Sequence, residues 1–396
     1  MDSQEYPGQP FSPATFECLL AAGAVDTFSA GAGEAFPALR SWTLDHPGDW
    51  LFGNFGYDLA AETEPSPAIE TEPSPATKIP HPDPIGFPDL FFFVPETVIR
   101  LEKDSVHIAT FRPDPATIWQ EICGSTPPAP AQIPQITFTP RFTRDEYLAT
   151  VDALQRHILR GDCYEINFCQ EFFALSRHVE PYAVWQALSL ASPNPFSVFY
   201  RLNDRYLFCA SPERFLKKTG ATLLCQPIKG TAARNPHDTD ADRLCGIALH
   251  QSAKDRAENV MVVDLVRNDL ARVCRPGTVQ VAELYGIYPF PRVFQMISSV
   301  TGELIPEVHW TEAIRACFPM GSMTGAPKNK VVQLIAQYER SRRGLFSGAV
   351  GYITPDGDFD FNVVIRSLLY AQDSGYLQYQ VGSGITWYSS PAAEYE

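Results

Sequence analysis

The stretch FSVFYRLNDRYLFCASPERFLKKTGATLLCQ, residues 196–226, indicates the fold class of the chain. It contains three short apolar segments, at 196–200, 206–210 and 222–226. Apolar runs of this length are typical of strands and too short for most helices, and the first two also carry aromatic residues that strands favour. We therefore predict three successive strands here.

Strand-like segments continue on both sides of this stretch. Alternating apolar and polar residues predict a strand at 164–172. The other strands predicted in the C-terminal half lie at 347–353, 361–370 and 376–381.

A few helices interrupt these strands. The clearest helical pattern lies at 143–160, where Thr143 stands three residues before Glu146, the capping-box spacing, and an apolar face follows. The other predicted helices lie at 249–273, at 311–317 and directly after Pro327. Long runs of strands with few helices predict an α+β fold with large, mainly antiparallel sheets.

The first 140 residues differ in composition from the rest. Most of the 35 prolines lie before residue 141, and an insert at 62–88 contains two copies of Thr-Glu-Pro-Ser-Pro-Ala. Pro and Glu at this density predict an exposed loop, because proline cannot donate to a buried ladder of hydrogen bonds. We predict an N-terminal sheet region at 1–140 and a main domain at 141–396. Three neighbouring strands of the N-terminal region are predicted at 90–94, 98–101 and 105–109.

Composition excludes several classes of function. The net charge of −15 argues against nucleic acid and anionic membranes as partners, because no basic stripe is present to bind phosphates. Nine scattered cysteines without a Cys-x-x-Cys pair predict reduced thiols, and the eight histidines form no zinc motif. No apolar run approaches a membrane span and no signal peptide is recognisable, so we expect a cytoplasmic protein.

Lys229 is the most informative candidate for chemistry. It lies in Gln226-Pro-Ile-Lys-Gly-Thr231, next to apolar residues at the end of a predicted strand. Partial burial lowers the pKa of a lysine amine and gives the neutral form that a nucleophile or base needs. The sequence alone does not separate this interpretation from a lysine at an exposed turn.

Two carboxylates predict a site for a divalent cation. Asp255 and Glu258 lie three residues apart, on one face of the predicted helix. They repel each other unless a cation neutralises them, which suits a hard ion with oxygen ligands. An ordinary acidic helix surface has the same spacing, but the apolar run that follows at 260–266 indicates that these residues lie at the edge of a core.

Other residues suit the binding of a small anion. Thr324 precedes a helix that starts near Pro327, where hydroxyl and N–H groups favour a carboxylate. Arg366 lies in an apolar strand, where a buried cation needs a carboxylate partner. Gly382-Ser383-Gly384 allows close backbone approach to a ligand, and Glu213 follows a predicted strand as a candidate general acid. Each of the last two patterns is also common in plain turns.

Eight motifs occur in one order over residues 141–396. They are GDCYEINF at 161–168, SPERF at 211–215, PIKGT at 227–231, DRAENVMVVDLVRNDL at 255–270, FPMGSMTGAPK at 318–328, SGAVGY at 347–352, VIRS at 364–367 and GSGI at 382–385. In this combination they resemble the chorismate-utilising enzymes, which include anthranilate, isochorismate and salicylate synthases and aminodeoxychorismate synthase component I. The resemblance implies an anthranilate-synthase-like sandwich of two large antiparallel sheets with helices packed outside.

The central residue of PIKGT indicates the branch of this family. Anthranilate, isochorismate and salicylate synthases typically have Ala there, whereas aminodeoxychorismate synthases have Lys, as at Lys229. The resemblance implies that Lys229 attacks C2 of chorismate while Glu213 protonates the departing C4 hydroxyl. Ammonia then displaces the lysine and gives 4-amino-4-deoxychorismate, for para-aminobenzoate and folate biosynthesis.

The resemblance also implies ligands, a cofactor and a partner. It implies a Mg²⁺ ion bound by Asp255, Glu258 and Glu394. A glutamine amidotransferase subunit is expected to supply the ammonia. The residues implied to bind the substrate carboxylates are Gly230, Thr231, Thr324, Arg366, Gly382, Ser383 and Gly384.

Two residues depart from the family pattern. Gln295 stands where many relatives have His, and Phe346 stands where Tyr is frequent, so an imidazole and a phenol contact are not expected here. Anthranilate synthase activity and a non-catalytic chorismate-binding paralogue remain as alternatives. Lys229 argues against the first, because its side chain is expected to fill the region near C2. The second is favoured if Lys229 or Glu213 does not reach a common cavity.

Overall fold

Antiparallel pairing organises the described strands of the computed structural model, which covers residues 17–64, 81, 83–126 and 133–396. Most of the Pro-rich insert predicted at 62–88 lies outside the described residues. The described strands are β1 (Cys18–Ala22), β2 (Asp26–Ala30), β3 (Leu51–Phe55), β4 (Leu90–Val94), β5 (Thr97–Glu102), β6 (Ser105–Thr110), β7 (Thr139–Pro140), β8 (Glu165–Leu175), β9 (Phe196–Leu202), β10 (Arg205–Ser211), β11 (Arg214–Thr219), β12 (Thr222–Gln226), β13 (Ile228–Ala233), β14 (Gln280–Pro289), β15 (Val293–Glu303), β16 (Gly325–Ala326), β17 (Ala349–Ile353), β18 (Phe359–Asn362), β19 (Ser367–Ala371) and β20 (Tyr376–Ile385).

Helices connect and cover these strands. The described α-helices are α1 (Ala35–Thr43), α2 (Ala60–Thr63), α3 (Pro115–Gly124), α4 (Arg144–Leu159), α5 (Pro181–Ala191), α6 (Thr239–Gln251), α7 (Ala253–Ala271), α8 (Trp310–Cys317), α9 (Lys328–Tyr338) and α10 (Pro391–Tyr395). None of these helices has the length and apolar character needed to cross a bilayer.

Two large sheets form the framework in the described residues. A seven-stranded sheet has the order β16-β8-β20-β19-β10-β9, with β7 also paired to β8. A ten-stranded sheet has the order β13-β15-β12-β11-β18-β17-β3-β4-β2, with β14 also paired to β15. The main core joins both, since it contains Leu207 and Leu369 of the first and Phe55 and Phe361 of the second. The predicted α+β class with large antiparallel sheets is confirmed.

The N-terminal strands divide between two sheets. β5 and β6 are neighbours, as predicted, but they pair with β1 in a small three-stranded sheet. β4 instead lies between β3 and β2 in the ten-stranded sheet, so its predicted place beside β5 is wrong. Through β3, which pairs with β17, the large sheet runs across the division predicted at residue 140.

Capping side chains explain the helix boundaries. In α4 the Thr143 hydroxyl accepts from the Glu146 amide, and the Glu146 carboxylate accepts from the Thr143 amide, which confirms the capping box. The helix predicted at 249–273 is confirmed over most of its length as α7, but its predicted start is wrong. The structure has two helices there, because Ser252 ends α6 and its hydroxyl caps α7 by accepting from the Asp255 amide.

Two of the places where the chain crosses between the large sheets lie next to each other. The turn at Pro212 and Glu213 links β10 to β11, and residues 363–366 link β18 to β19. The two crossings bind each other, because the Val363 amide donates to the Glu213 carbonyl and the Ala210 amide donates to the Arg366 carbonyl. This arrangement brings Glu213 and Arg366 to one place between the sheets.

Candidate active site

A cavity of about 810 Å³ opens where the two large sheets meet. Of the residues predicted to act in the site, it is lined by Glu213, Lys229, Gly230, Thr231, Arg366, Gly382 and Gly384. These residues come from β13, from β20 and from the two crossings between the sheets. Lys229 and Glu213 share this cavity, so the structure does not favour a non-catalytic paralogue on that ground.

Lys229 joins the two sheets across this cavity. Its Nζ lies 2.6 Å from Oε1 of Glu165, the first residue of β8. Only 13% of the Lys229 side chain and 2% of the Glu165 side chain are exposed. Lys229 thus belongs to a buried ion pair, and the alternative of a lysine at an exposed turn is excluded.

The charge state of Lys229 differs from the sequence prediction. Burial does lower the pKa of its ammonium, but the carboxylates of Glu165, Glu258 and Glu213 together outweigh burial and hold the pKa above its ordinary value. The predicted lowered pKa is therefore wrong. The lysine carries a proton in the free protein and must lose it before it can act as a nucleophile.

Glu213 has the properties of a general acid. It is 4% exposed, and burial raises the pKa of its carboxyl to about 7, an effect that the neighbouring Ser322 hydroxyl and Ile228 amide partly oppose. Glu213 therefore holds its proton much closer to neutral pH than an exposed glutamate does. A carboxyl in this state can donate a proton to a leaving group.

Arg366 is placed differently from the prediction. The strand predicted at 361–370 is split into β18 and β19, and Arg366 lies in the break with a left-handed φ of 51°. Its side chain is exposed to the cavity, and no carboxylate of the described residues is within ion-pairing distance of it. Arg366 is thus a cation available to an anionic ligand.

Residues 382–384, predicted as a glycine turn, lie within β20, so their side chains alternate between the two faces of the sheet. Gly382 and Gly384 line the cavity, whereas the Ser383 hydroxyl bonds to the Glu394 carboxylate near α10. Ser383 pairs with Phe168, which packs against α4 and α9 on the other face of β8. The side chains of Ser383 and Glu394 therefore lie on the opposite face of the sheet from the cavity.

Thr324 is also displaced from its predicted role. It is fully buried, and its hydroxyl donates to the Met320 carbonyl at 3.0 Å. It does not line the cavity, whereas the nearby Ser322 does. In this turn, Ser322 rather than Thr324 is therefore the residue whose hydroxyl can contact a ligand in the cavity.

The two departures from the family pattern both face the cavity. The side-chain amide oxygen of Gln295 accepts from the Thr231 hydroxyl at 2.9 Å, so Gln295 orients a residue predicted to bind substrate. Phe346 is buried and presents an apolar ring to the cavity.

The three predicted metal ligands do not assemble. Asp255 lies against Gly230, whose φ of 101° suits glycine and whose added Cβ would be 3.0 Å from Asp255 Cβ. Glu258, one turn further along α7, has a raised pKa because of burial and the nearby negative charge of Glu165. Glu394 is on the other face of β20. No group of three or more acidic, His or Cys side chains in the described part of the chain is arranged to hold a metal.

Two asparagines that sequence reasoning missed fix the site. Asn259, next to Glu258, donates to the carbonyls of Lys229 and Met296, at 3.2 and 3.3 Å. Asn167 lines the cavity and donates to the Ser322 carbonyl at 3.1 Å. Both residues stand inside motifs quoted above, but their backbone partners are set by the tertiary fold.

The model of chorismate binding enzymes matches residues 9–396 of the chain. The chain belongs to the chorismate binding enzyme family. Aminodeoxychorismate synthase component 1 of Klebsiella aerogenes is 36% identical over 356 residues, covering 87% of the chain and 73% of that relative. The namesake from Salmonella typhimurium is 40% identical over 254 residues, covering 64% of the chain but only 55% of the relative.

A solved structure supports the fold. Anthranilate synthase component I from Streptococcus pneumoniae superposes with a TM-score of 0.82, covering 99% of the chain and 92% of that protein. The two share 24% sequence identity, so the likeness concerns the fold alone. The predicted anthranilate-synthase-like sandwich is confirmed.

We expect Gly384→Ala to reduce the turnover of chorismate about a hundredfold, the usual result of an error near 1 Å in a reacting group. The added Cβ would lie 2.7 Å from Glu165 Oε1 and 3.1 Å from Lys229 Nζ, so the ion pair must move. Initial rates of chorismate consumption measure the effect. Gly124→Ala at the end of α3, where an added Cβ meets nothing within 4 Å, is the control. Equal rates for both variants and the wild type would show that the pair tolerates displacement.

Proposed function

We propose that the chain converts chorismate and ammonia to 4-amino-4-deoxychorismate, through a covalent adduct with Lys229, in para-aminobenzoate and folate biosynthesis. One observation carries the proposal: the cavity that contains Lys229 also contains the acid Glu213 and the available cation Arg366. The names of the relatives from Klebsiella aerogenes and Salmonella typhimurium support it.

The first step joins the enzyme to the substrate. The Lys229 amine forms a bond to C2 of chorismate, the ring double bonds shift, and the C4–O bond breaks. The hydroxyl leaves as water with a proton from Glu213, whose pKa of about 7 suits that transfer.

The second step releases the product. Ammonia forms a bond to C4, the double bonds shift back, and the bond between C2 and Lys229 breaks. The enolpyruvyl group stays on the ring throughout, so no pyruvate is lost. The lysine divides one difficult substitution into two easier ones.

Substrate binding follows from the cavity lining. Arg366, exposed to the cavity without a carboxylate partner in the described residues, suits a substrate carboxylate. The backbone at Gly230, Gly382 and Gly384 allows close approach, and the Thr231 hydroxyl is oriented by Gln295. These groups supply local positive charge and hydrogen bonds in a chain whose net charge is −15.

We further propose Mg²⁺ as cofactor, bound by Asp255 and Glu258 but not by Glu394. Mg²⁺ is commonly bound by one or two carboxylates, with substrate and water completing its coordination. Burial and the negative charge of Glu165 raise the pKa of Glu258. A bound cation would reduce this repulsion between the two carboxylates. When bound, Mg²⁺ supplies positive charge for a carboxylate of the substrate.

Glu258→Gln is expected to weaken the apparent affinity for Mg²⁺ about 10- to 100-fold, because one charged oxygen donor is lost. Titration of Mg²⁺ against chorismate binding measures the change. Asp264→Asn, which removes an exposed acid from the same helix α7, is the matched control. A wild-type titration curve for Glu258→Gln would remove Glu258 from the ligand set.

A glutamine amidotransferase subunit is proposed as the source of ammonia. The relatives are named component 1, which implies a second component in those proteins. In the product assay, ammonium salts replace this subunit as the source of ammonia. The cytoplasmic location of the chain stays a prediction.

Product analysis tests the activity. The chain is incubated with chorismate, Mg²⁺ and ammonium, and the product is treated with the lyase that converts 4-amino-4-deoxychorismate to para-aminobenzoate. Formation of para-aminobenzoate supports the proposal. Fluorescent anthranilate would instead support the alternative activity, and unchanged chorismate would support the binding paralogue.

A further inference from the structure

We propose that Glu165 accepts the proton that Lys229 must lose to attack chorismate, and returns it when ammonia displaces the lysine. This role rests on the proposed function above. It concerns a step that the mechanism leaves open, namely the fate of the lysine proton.

The geometry of the pair permits a direct transfer. Lys229 Nζ and Glu165 Oε1 are 2.6 Å apart, the distance of a short charge-assisted hydrogen bond. Only 13% of the Lys229 side chain and 2% of the Glu165 side chain are exposed. The interacting atoms of both side chains lie against Gly384, which lines the cavity. No water is needed between donor and acceptor.

In the described residues, the only side-chain hydrogen bond of Glu165 is the one with Lys229. Within the described residues its Oε2 is buried and has no hydrogen-bond partner, whereas its Oε1 accepts from Lys229. Glu171 on the same strand is different, since it binds both Arg141 and Tyr376. A carboxylate fixed by two donors is a structural anchor, whereas Glu165 has an oxygen available for a proton.

The other ionisable groups near Lys229 are less suited to accept its proton. Glu213 is needed in its protonated form to donate to the hydroxyl. Glu258 acts on Lys229 through its charge, without a hydrogen bond to it in the structure, and pairs weakly with Lys254 at 3.8 Å. Cys169 is buried on β8, and burial raises the pKa of its thiol. The thiol therefore keeps its own proton and cannot accept one from Lys229.

The protons balance over the two steps. On attack, the Lys229 ammonium gives one proton to Glu165, which becomes a neutral carboxylic acid, and the neutral amine then bonds to C2. The adduct nitrogen keeps two hydrogens and a positive charge, while the proton of Glu213 leaves with the C4 hydroxyl as water. When ammonia bonds to C4, its excess proton goes to the basic form of Glu213, and Glu165 returns its proton to the departing Lys229 amine. Lys229 and both carboxyls end as they began.

Glu165→Gln separates this role from a structural one. Glutamine keeps the shape and an oxygen that accepts from Lys229, but it cannot take a proton. We expect adduct formation with chorismate, followed by intact-protein mass in the absence of ammonia, to slow by about 10²-fold or more. Glu171→Gln, a buried glutamate on the same strand, is the matched control and should form the adduct at the wild-type rate.

A second measurement needs no chorismate. Losing the Glu165 charge lowers the pKa of Lys229, so acetic anhydride at neutral pH should label Lys229 faster in Glu165→Gln, by about tenfold for each unit that the pKa falls. Peptide mass spectrometry measures the labelling. An amine that becomes more reactive to a small reagent, yet slower towards chorismate, is the expected combination.

The outcomes are distinct. Adduct formation at the wild-type rate in Glu165→Gln overturns the inference and leaves the proposed function intact. Unchanged labelling in Glu165→Gln also overturns it, because the pair would then not govern the amine. Absence of any adduct in the wild type overturns the proposed function and this inference with it.

Discussion

Lys229→Ala is expected to abolish the adduct with chorismate and to lower the formation of 4-amino-4-deoxychorismate by at least about a thousandfold, as the loss of a covalent nucleophile does. The reason is geometric, because Lys229 is the amine that lines the cavity beside Glu213 and Arg366. Intact-protein mass and the coupled para-aminobenzoate assay measure the two effects. Anthranilate fluorescence, read in the same samples, reports any change of product.

Two controls guard this prediction. Lys229→Ala leaves Glu165 buried without its cation, which destabilises a protein by about 3–5 kcal/mol, so Lys229→Gln is tested beside it because an amide still donates to Glu165. Lys218→Ala removes a lysine of similar exposure, 16%, from the same ten-stranded sheet, where it binds Asp358. Kinetics unchanged from the wild type in both Lys229 variants would refute the covalent route.

Glu213→Gln is expected to reduce kcat by about 10²- to 10⁴-fold, the usual contribution of a positioned acid. The wild type should also lose activity as the pH rises through about 7, because the proton on Glu213 is then lost. A pH profile of kcat measures this limb, which should be absent from the residual activity of Glu213→Gln. A profile that stays flat from pH 6 to 8 in the wild type would assign the proton donor elsewhere.

The same substitution should stabilise the fold at high pH. Burial raises the folded-state pKa of Glu213 from 4.5 to about 7, so the folded state binds its proton more tightly than the unfolded state. The resulting stability is present below pH 4.5 and is lost as the pH rises through 7. Urea unfolding should therefore show Glu213→Gln gaining about 2–3 kcal/mol over the wild type at pH 8 and little at pH 5. A loss of stability at pH 8 would contradict the burial of this charge.

Sequence patterns predicted the parts of this molecule that local physics decides. The capping box of Thr143 and Glu146 fixes the start of α4, and the alternation at 164–172 gives a strand that the structure places at Glu165–Leu175. The motif around Lys229 and the position of Glu213 also predicted residues that the fold brings into one cavity.

The failures involve partners distant in the sequence. The raised pKa of Lys229 depends on Glu165, which is 64 residues away, and no pattern near Lys229 indicates that contact. Arg366 looked like part of one apolar strand because the crossing between sheets is itself buried at Val363 and Val364. The faces of Ser383 and Glu394 follow from the register of β20 against β8, which a single sequence does not specify.

The pairing of β8 with β20 has a consequence for synthesis of the protein. The register joins Ile166 to Ile385, so the second strand leaves the ribosome 219 residues after its partner. At about 5–20 residues per second this interval is roughly 10–45 s. During it, the hydrophobic strand that carries Glu165 is exposed without its longest neighbour, and such an edge is prone to aggregation. Chaperone dependence and slow translation should therefore affect the yield of this enzyme more than its final stability.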